Sequence, residues 1–183
     1  MKKLLFVFFC FLLTSKLYGD ESMIMKLKYG NVKIKLFSDI APNHVKRFSK
    51  LVEDNKYDGV VFHRVIDGFM AQTGDVKFGN SNNSDYNLRL VGTGGSSLPD
   101  LKEEFSDLPH VRGTLSMARS ANPNSANSQF FICFGTTPHL DRNYTVFGQV
   151  ESGMEFIDQI KKGDPGSGAV KDPDKIISIS KNK

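Results

Sequence analysis

One stretch of the sequence, Val61–Asp75, limits the possible folds more than any other, because strand, turn and polar residues follow one another closely. It begins with β-branched and aromatic residues, which favour a strand, and an Asp-Gly pair then predicts a tight turn. If the strand is regular, its alternation sends Phe62, Arg64 and Ile66 to one face. A guanidinium on an apolar face, with Gln72 near it in sequence, suits a neutral ligand that carries carbonyl groups. The alternative is an arginine on an edge strand whose charged head reaches into water.

The remaining segments predict a chain built mainly from short strands with two helices. Alternating apolar residues and lysines on both sides of Gly30-Asn31 predict a β-hairpin with its turn at that pair. Apolar residues at helical spacing predict a helix from Pro42 to Asp54, and a shorter helix is predicted over residues 154–160. Four more apolar segments predict strands: Gly113–Ala118, Ser128–Phe134, Thr145–Val150 and Lys175–Ser180. Such a chain typically forms a closed barrel or a sandwich with the helices as covers.

Residues 1–19 have the pattern of a secretory signal, followed by one predicted domain over residues 20–183. Two lysines precede an unbroken apolar run from Leu4 to Leu13, and Leu17–Gly19 is the predicted cleavage site. The run is too short to span a bilayer comfortably, so we expect no stable membrane span after processing. An uncleaved anchor is the alternative. In a bacterium, export of this kind predicts a periplasmic location.

The charge and the cysteine content of the chain argue against a nucleic-acid partner and against an intramolecular disulfide. The formal net charge is +4, but lysines within residues 1–19 supply most of the excess, so no nucleic-acid partner is predicted. The two cysteines are Cys10, inside the predicted signal, and Cys133. A processed chain would therefore have a single thiol and no intramolecular disulfide. The apolar neighbours of Cys133 predict that it is a small core residue.

Several catalytic chemistries lack the residues they need. The four histidines have no metal-ligand spacing, so no metal site is predicted. A Cys/His hydrolase would need an exposed Cys133, and no G-x-S-x-G motif is present. Gly92–Gly95 lacks the lysine of a phosphate-binding loop, and Glu103-Glu104 is predicted to be a solvated surface pair. An enzyme built from this sequence must therefore act without a nucleophile, a metal or a carboxylate pair.

Six sequence blocks occur in order along the chain. They are F-H-R-V-I-x-G-F-M-x-Q-x-G-D (Phe62–Asp75), G-T-G-G (Gly92–Gly95), G-T-L-S-M-A (Gly113–Ala118), N-S-Q-F-F-I-C (Asn127–Cys133), H-L-D (His139–Asp141) and V-F-G-Q-V (Val146–Val150). Together they resemble the cyclophilins, a family of peptidyl-prolyl cis-trans isomerases, over essentially the whole chain after residue 19. The resemblance implies a closed eight-stranded antiparallel β-barrel with an α-helix closing each end, in agreement with the predicted strands and helices.

The resemblance also implies a site for proline-containing peptides. The catalytic arginine of the family falls on Arg64, and Gln72 is expected to act with it. The family's proline pocket falls on Phe69, Met70, Phe131 and Leu140. Its other peptide contacts fall on Ser120, Ala121, Asn122, Gln129, His139 and Tyr144. No cofactor is implied.

Two positions depart from the common family pattern. His139 stands where many members have a tryptophan associated with tight cyclosporin binding, so cyclosporin-type ligands are expected to bind weakly. Tyr144 stands where histidine is common, and it still offers an aromatic face and a hydroxyl group. The expected partners are unfolded or nascent polypeptides that contain proline, bound by a monomer. The alternative is a peptide-binding module or holding chaperone with little turnover, which would be expected to have lost the arginine.

Overall fold

The structure, a computed structural model, describes residues 22–182 and contains one antiparallel sheet of eight strands. The strands are β1 (Ser22–Leu27), β2 (Gly30–Leu36), β3 (Arg64–Ile66), β4 (Met70–Thr73), β5 (Thr114–Met117), β6 (Phe130–Cys133), β7 (Val146–Ser152) and β8 (Ser178–Lys181). The helices are α1 (Pro42–Glu53) and α2 (Met154–Asp158), with one 3₁₀ turn at Pro138–Leu140. Across the sheet the strand order is β3-β4-β6-β5-β7-β2-β1-β8.

The β1–β2 hairpin forms as predicted, but its turn does not lie at the predicted Gly-Asn pair. Leu27 pairs with Gly30, so the two-residue turn consists of Lys28 and Tyr29. Gly30 has φ +154°, and a Cβ at this position would lie 2.5 Å from the ring of Phe156. The glycine is needed because α2 packs closely against the start of β2, and not because it occupies the turn.

Helix α1 packs its apolar stripe onto the core face of the sheet, as the sequence predicts. The ring of Phe48 lies 5.4 Å from that of Phe130 on β6 and 5.3 Å from that of Phe147 on β7. Tyr57, just beyond the helix, lies 5.3 Å from Phe48, and all four rings are buried. Burial of these large apolar surfaces supplies the main driving force that holds the helix on the sheet.

The N-terminus of α1 is capped by a residue that is distant in sequence. Ala41, at the N-cap position, has no side chain that could accept a hydrogen bond. The carboxylate of Glu104 instead accepts from the backbone N–H groups of Asn43 and His44, each at 3.1 Å, and lies 2.7 Å from Nδ1 of His44. The predicted solvated pair is therefore wrong for Glu104, because its side chain satisfies helix donors that have no intrahelical partner.

The sheet is curled but open, so the expected closed barrel is wrong. Within residues 22–182, no ladder joins the two edge strands, β3 and β8. The irregular segment 163–177 lies against β3 instead. The N–H of Val65 donates to the carbonyl of Gly168 at 2.8 Å, and Arg64 forms an isolated bridge with Ala169. Because this segment satisfies the edge of β3, it takes the place that a closing strand would occupy.

Both edge strands are shorter than the sequence predicts. Val60 and Val61 form only isolated bridges, so β3 begins at Arg64. The last strand begins at Ser178 instead of Lys175 for the same reason, since Lys175 makes a single bridge. Val60 and Val61 are buried, so their apolar character indicated burial correctly but not continuous strand pairing.

The predicted secretory signal, residues 1–19, lies outside the described residues. Between residues 22 and 182, no helix combines the length and the apolar character that crossing a membrane requires. The longer helix, α1, has 12 residues.

Candidate active site

Strand register places the candidate site on the face of the sheet opposite the core. Arg64 on β3 pairs with Gln72 on β4, and Gln72 pairs in turn with Phe131 on β6. The intervening residues, such as Val65 and Ala71, are fully buried in the core. Because alternate residues of a strand face opposite sides, Arg64, Gln72 and Phe131 share the outer face.

Phe62 does not share this face, so that expectation is wrong. Phe62 is fully buried in the main core together with Val65, whereas Ile66 packs against the outer cluster on the Arg64 side. Regular strand geometry begins only at Arg64. The period of two therefore cannot be extended back across residues 62–63.

A cavity of about 190 Å³ opens on the outer face. The residues predicted from the sequence that line it are Arg64, Phe69, Met70, Gln72, Phe131, Leu140 and Tyr144. Met70, Phe131 and Leu140 form a buried apolar cluster with Cys133 that is separate from the main core. The rings of Phe131 and Tyr144 meet edge to face with their centroids 5.7 Å apart. The cavity thus combines an apolar lining with one guanidinium and one amide from the predicted set.

Cys133 belongs to the base of this cluster, which confirms its prediction as a small buried residue. Burial raises the pKa of its thiol to about 11, so the nucleophilic thiolate is disfavoured at neutral pH. Among residues 22–182, no group of three or more His, Cys, Asp or Glu side chains could hold a metal ion.

Arg64 lies on an edge strand, yet its side chain lines the cavity. Its Nε donates to the backbone carbonyl of Ser167 at 3.0 Å, and its Nη1 lies 3.9 Å from the sulfur of Met70. The irregular segment beside β3 thus supplies the acceptor that orients the guanidinium. Since Nε alone is bound to the backbone, N–H groups on both terminal nitrogens remain for a ligand.

The two predicted glutamines form a chain that leads away from the cavity. Nε2 of Gln72 donates to Oε1 of Gln129 at 3.0 Å. Nε2 of Gln129 donates in turn to the carbonyls of Gly92 and Gly94, at 2.9 and 2.7 Å. Gln129 therefore lies in a neighbouring groove of about 440 Å³, whereas Gln72 borders both the groove and the cavity.

The remaining predicted contacts lie around the cavity. Ser120 lines the neighbouring groove, and Ala121 and Asn122 are exposed in the loop that follows. His139 is exposed in the 3₁₀ turn, with its ring centroid 5.5 Å from that of Phe69. The structure thus brings Ser120 to the groove and His139 to the cavity edge, and it leaves Ala121 and Asn122 outside both linings.

Sequence reasoning missed two residues of the cavity wall, Ala118 and Arg119. Both directly follow β5, and both also line the neighbouring groove. The guanidinium of Arg119 lies over the ring of Tyr144, 4.5 Å from its centroid. The position of Arg119 directly after the G-T-L-S-M-A block was the only signal in the sequence, since Tyr144 and Asn143 come from another segment.

Behind the cavity lies a Ser-His-Asp arrangement that sequence spacing did not reveal. The imidazole of His110 contacts Asp141 through Nδ1 at 2.9 Å and Ser116 through Nε2 at 3.0 Å. Ser116 is fully buried, and its hydroxyl donates to the carbonyl of Thr145, so it cannot reach a substrate as a nucleophile. The imidazole instead stacks on Phe131, with the ring centroids 6.2 Å apart, and supports the cavity from behind.

Comparisons with known proteins agree with this fold. The family model described as "Cyclophilin type peptidyl-prolyl cis-trans isomerase/CLD" matches residues 22–181. A probable peptidyl-prolyl cis-trans isomerase of Brucella suis is 58% identical over 162 residues, which is 88% of this chain and 82% of the relative. The peptidyl-prolyl cis-trans isomerase-like 3 protein of Gallus gallus is 44% identical over 137 residues, 73% of this chain and 77% of the relative.

Solved structures show the same likeness. A crystal structure of a cyclophilin type peptidyl-prolyl cis-trans isomerase from Cryptosporidium parvum has a TM-score of 0.76 and 28% identity, and the match covers 90% of this chain and 99% of that one. The same enzyme in the presence of the dipeptide Ala-Pro gives a TM-score of 0.75 and 29% identity, covering 88% and 99%. The fold is therefore cyclophilin-like, mainly β with two helices. The chain belongs to the cyclophilin family. As a member of it, it is a peptidyl-prolyl cis-trans isomerase, which confirms the function expected from the sequence.

Proposed function

We propose that Arg64 accelerates rotation about the X-Pro bond by donating a hydrogen bond to the prolyl nitrogen. The planar peptide bond resists rotation because the nitrogen lone pair is delocalised into the carbonyl. X-Pro bonds interconvert over roughly tens to hundreds of seconds, slowly enough to limit protein folding. In the twisted transition state the nitrogen becomes pyramidal and regains its lone pair, so it can accept a hydrogen bond.

The observation that carries this proposal is the position of Arg64 beside an apolar cavity. Ser167 holds its Nε, and N–H groups on the terminal nitrogens remain for the ligand. A donor aimed at the prolyl nitrogen stabilises the twisted state more than the planar state, which lowers the barrier. Because Met70 and Phe131 exclude water from the same cavity, the hydrogen bond forms in a medium of low dielectric constant and is stronger than in water.

The other predicted site residues have supporting roles in this proposal. Phe69, Met70, Phe131 and Leu140 bury the proline ring. Gln72, opposite Arg64 in the strand register, holds the carbonyl of the residue before proline. The residues of the peptide on either side of the bond contact Ser120, Gln129, His139 and Tyr144, and Ala121 and Asn122 offer further contacts in the exposed loop that follows Ser120. No covalent bond forms in this mechanism, and no cofactor or ATP takes part.

The test is a cis-to-trans assay on an X-Pro peptide with the wild-type protein and the Arg64→Ala variant. Loss of the transition-state donor should reduce kcat/KM by on the order of a hundredfold, as for other donors of this kind. Circular dichroism and thermal unfolding should show that the variant is folded, since the side chain is partly exposed. Equal activity in the two proteins would leave the isomerase in place and reject the role of Arg64.

We also propose that residues 1–19 direct export and that the enzyme acts as a monomer on unfolded proline-containing polypeptides in the periplasm. The charged start and the apolar run support the first proposal. The presence of Ala-Pro with a related enzyme supports a proline-containing ligand. His139 in place of a tryptophan supports weak binding of cyclosporin-type ligands. Cell fractionation with an antibody against the chain tests the location, because a cytoplasmic signal would reject export.

A further inference from the structure

Arg119 is a second cationic group in the cleft, and its position differs from that of Arg64. It lines both the cavity and the neighbouring groove, together with Ala118 and Gln72. A peptide that runs from the cavity into the groove must therefore pass this side chain. Arg64, in contrast, lines the cavity alone.

The guanidinium of Arg119 is held in place by backbone groups. Its Nε and Nη2 donate to the carbonyl of Asn143 at 3.2 and 2.8 Å, and its Nη1 donates to the carbonyl of Ser120 at 2.9 Å. A weaker contact reaches the carbonyl of Ala121 at 3.4 Å, and the group lies over the ring of Tyr144. A side chain fixed in this way loses little conformational entropy when it binds a ligand.

Within the described part of the chain, the charge of Arg119 has no carboxylate partner. All of its hydrogen bonds among residues 22–182 go to neutral carbonyls. Arg112 and Arg142 differ from it, since Arg112 is paired with Asp158 and Arg142 with Asp107. The cavity lining contains two guanidinium groups and no acidic side chain. A negative charge brought to this position would therefore gain a favourable interaction without displacing an existing ion pair.

We propose that Arg119 gives the enzyme a preference for substrates with an acidic residue immediately before proline. This inference rests on the proposed function, in which the proline ring occupies the cavity. Gln72, assigned to the carbonyl of the preceding residue, borders the groove that Arg119 also lines, so that residue lies on the Arg119 side. Asp100 also lines the groove, and its carboxylate disfavours an acidic residue that binds within the groove itself. The preference is thus limited to the position next to proline.

The test compares peptides of the form Ala-Xaa-Pro-Phe in which Xaa is Glu, Gln or Lys. Isomerisation rates are measured by NMR exchange, because no coupling protease then adds its own selectivity. For the wild type, kcat/KM should be roughly 3- to 10-fold higher with Glu than with Gln and lower with Lys, as expected for one partly exposed charge pair. The Arg119→Gln variant should lose the Glu-to-Gln ratio, and Arg119→Lys should retain part of it.

Arg89→Gln is the matched control. It removes the same charge from an exposed side chain that lines neither the cavity nor the groove, so the wild-type ratio should persist. In the wild type, salt should also reduce the ratio, which gives a measurement that does not depend on the folding of any variant. A Glu-to-Gln ratio of kcat/KM near one in the wild type would reject the proposal, and so would an equal ratio in the wild type and Arg119→Gln. Arg119 would then have only a structural role, in holding the loop that follows β5. Failure of the wild type on all three peptides would instead reject the proposed function.

Discussion

At the scale of single residues, the site separates into a part that is local in sequence and a part that is not. Arg64, Met70 and Gln72 lie within one strand-turn-strand block, so their proximity could be predicted from their spacing. Arg119 and His110 could not be predicted in the same way. Their contacts depend on Asn143 and Asp141, which join them only after the sheet has formed.

Phe131 offers a test of the apolar cavity wall. Replacing it with leucine keeps the site apolar but removes the ring that contacts Tyr144 and His110. We expect kcat/KM to fall by about tenfold, equivalent to about 1.4 kcal/mol, because the proline ring loses its flat packing surface. Phe105→Leu is the control, since Phe105 is 38% exposed and lines no part of the cavity. Equal losses in both variants would indicate a general effect and not a role for the wall.

At the scale of elements, the sequence predicted helix α1 well but not the group that caps it. The apolar spacing of the helix is a local property, whereas Glu104 lies about sixty residues further along the chain. Two adjacent acidic residues in a polar stretch have no local feature that distinguishes a cap from a solvated pair. Such a cap can be assigned only when the loop that carries it has been placed.

Replacing Glu104 with glutamine should destabilise the protein by about 1 kcal/mol, a typical cost for the loss of a helix cap. The amide can still accept a hydrogen bond, but it has no charge to interact with the N-terminal end of the helix. Urea unfolding at pH 7 gives the change in free energy of unfolding. Glu151→Gln removes a charge from a surface pair with Lys33 and should have little effect. A loss as large in the control would contradict the capping role.

The segment that replaces a closing strand makes a second prediction at this scale. Gly168 has φ +77°, and a Cβ there would lie 2.5 Å from the side chain of Ile66 and 3.1 Å from that of Arg64. Gly168→Ala should therefore cost about 1 to 3 kcal/mol in stability and should lower kcat/KM, because the carbonyl of Ser167 that orients Arg64 is displaced.

Gly166→Ala is the matched control for this segment. A Cβ at Gly166 would have only an ordinary contact at 3.4 Å, with Asp164, so thermal unfolding and activity should stay close to wild type. If Gly168→Ala behaved like Gly166→Ala in both measurements, the segment would have no role in holding Arg64.

At the scale of the whole molecule, the sequence predicted a mainly β chain with two helices but not the open edge. Strand content follows from alternating and apolar segments, which are local. Closure depends on whether β3 and β8 meet, and this is decided by how segment 163–177 lies between them. The expectation of a closed barrel came from the pattern of short strands and from the family resemblance, and neither shows whether the two edge strands meet.

Three buried histidines predict that the protein loses stability in mild acid. Burial lowers the pKa values of His44, His63 and His110 below the ordinary value, and that of His63 to about 4. The carboxylates of Glu104 and Asp141 oppose this effect at two of the rings without reversing it. Below about pH 6.5, the unfolded chain therefore binds protons that the folded chain does not, so the free energy of unfolding decreases as the pH falls.

Urea unfolding at pH 7, 6 and 5 would measure this decrease. A free energy of unfolding that stays constant from pH 7 to pH 5 would show that the buried histidines do not titrate differently in the two states.

The pairing of β1 with β8 has a consequence for the timing of folding. β1 lies between β2, its neighbour in the chain, and β8, which is more than 150 residues away, and the N–H of Asn182 donates to the carbonyl of Ser22. A ribosome or a translocation pore delivers the chain gradually. The backbone groups of β1 that pair with β8 therefore remain unpaired until β8 has emerged. A protein of this architecture completes its sheet only after β8 has emerged, and until then the unpaired side of β1 is open to pairing with strands of other chains.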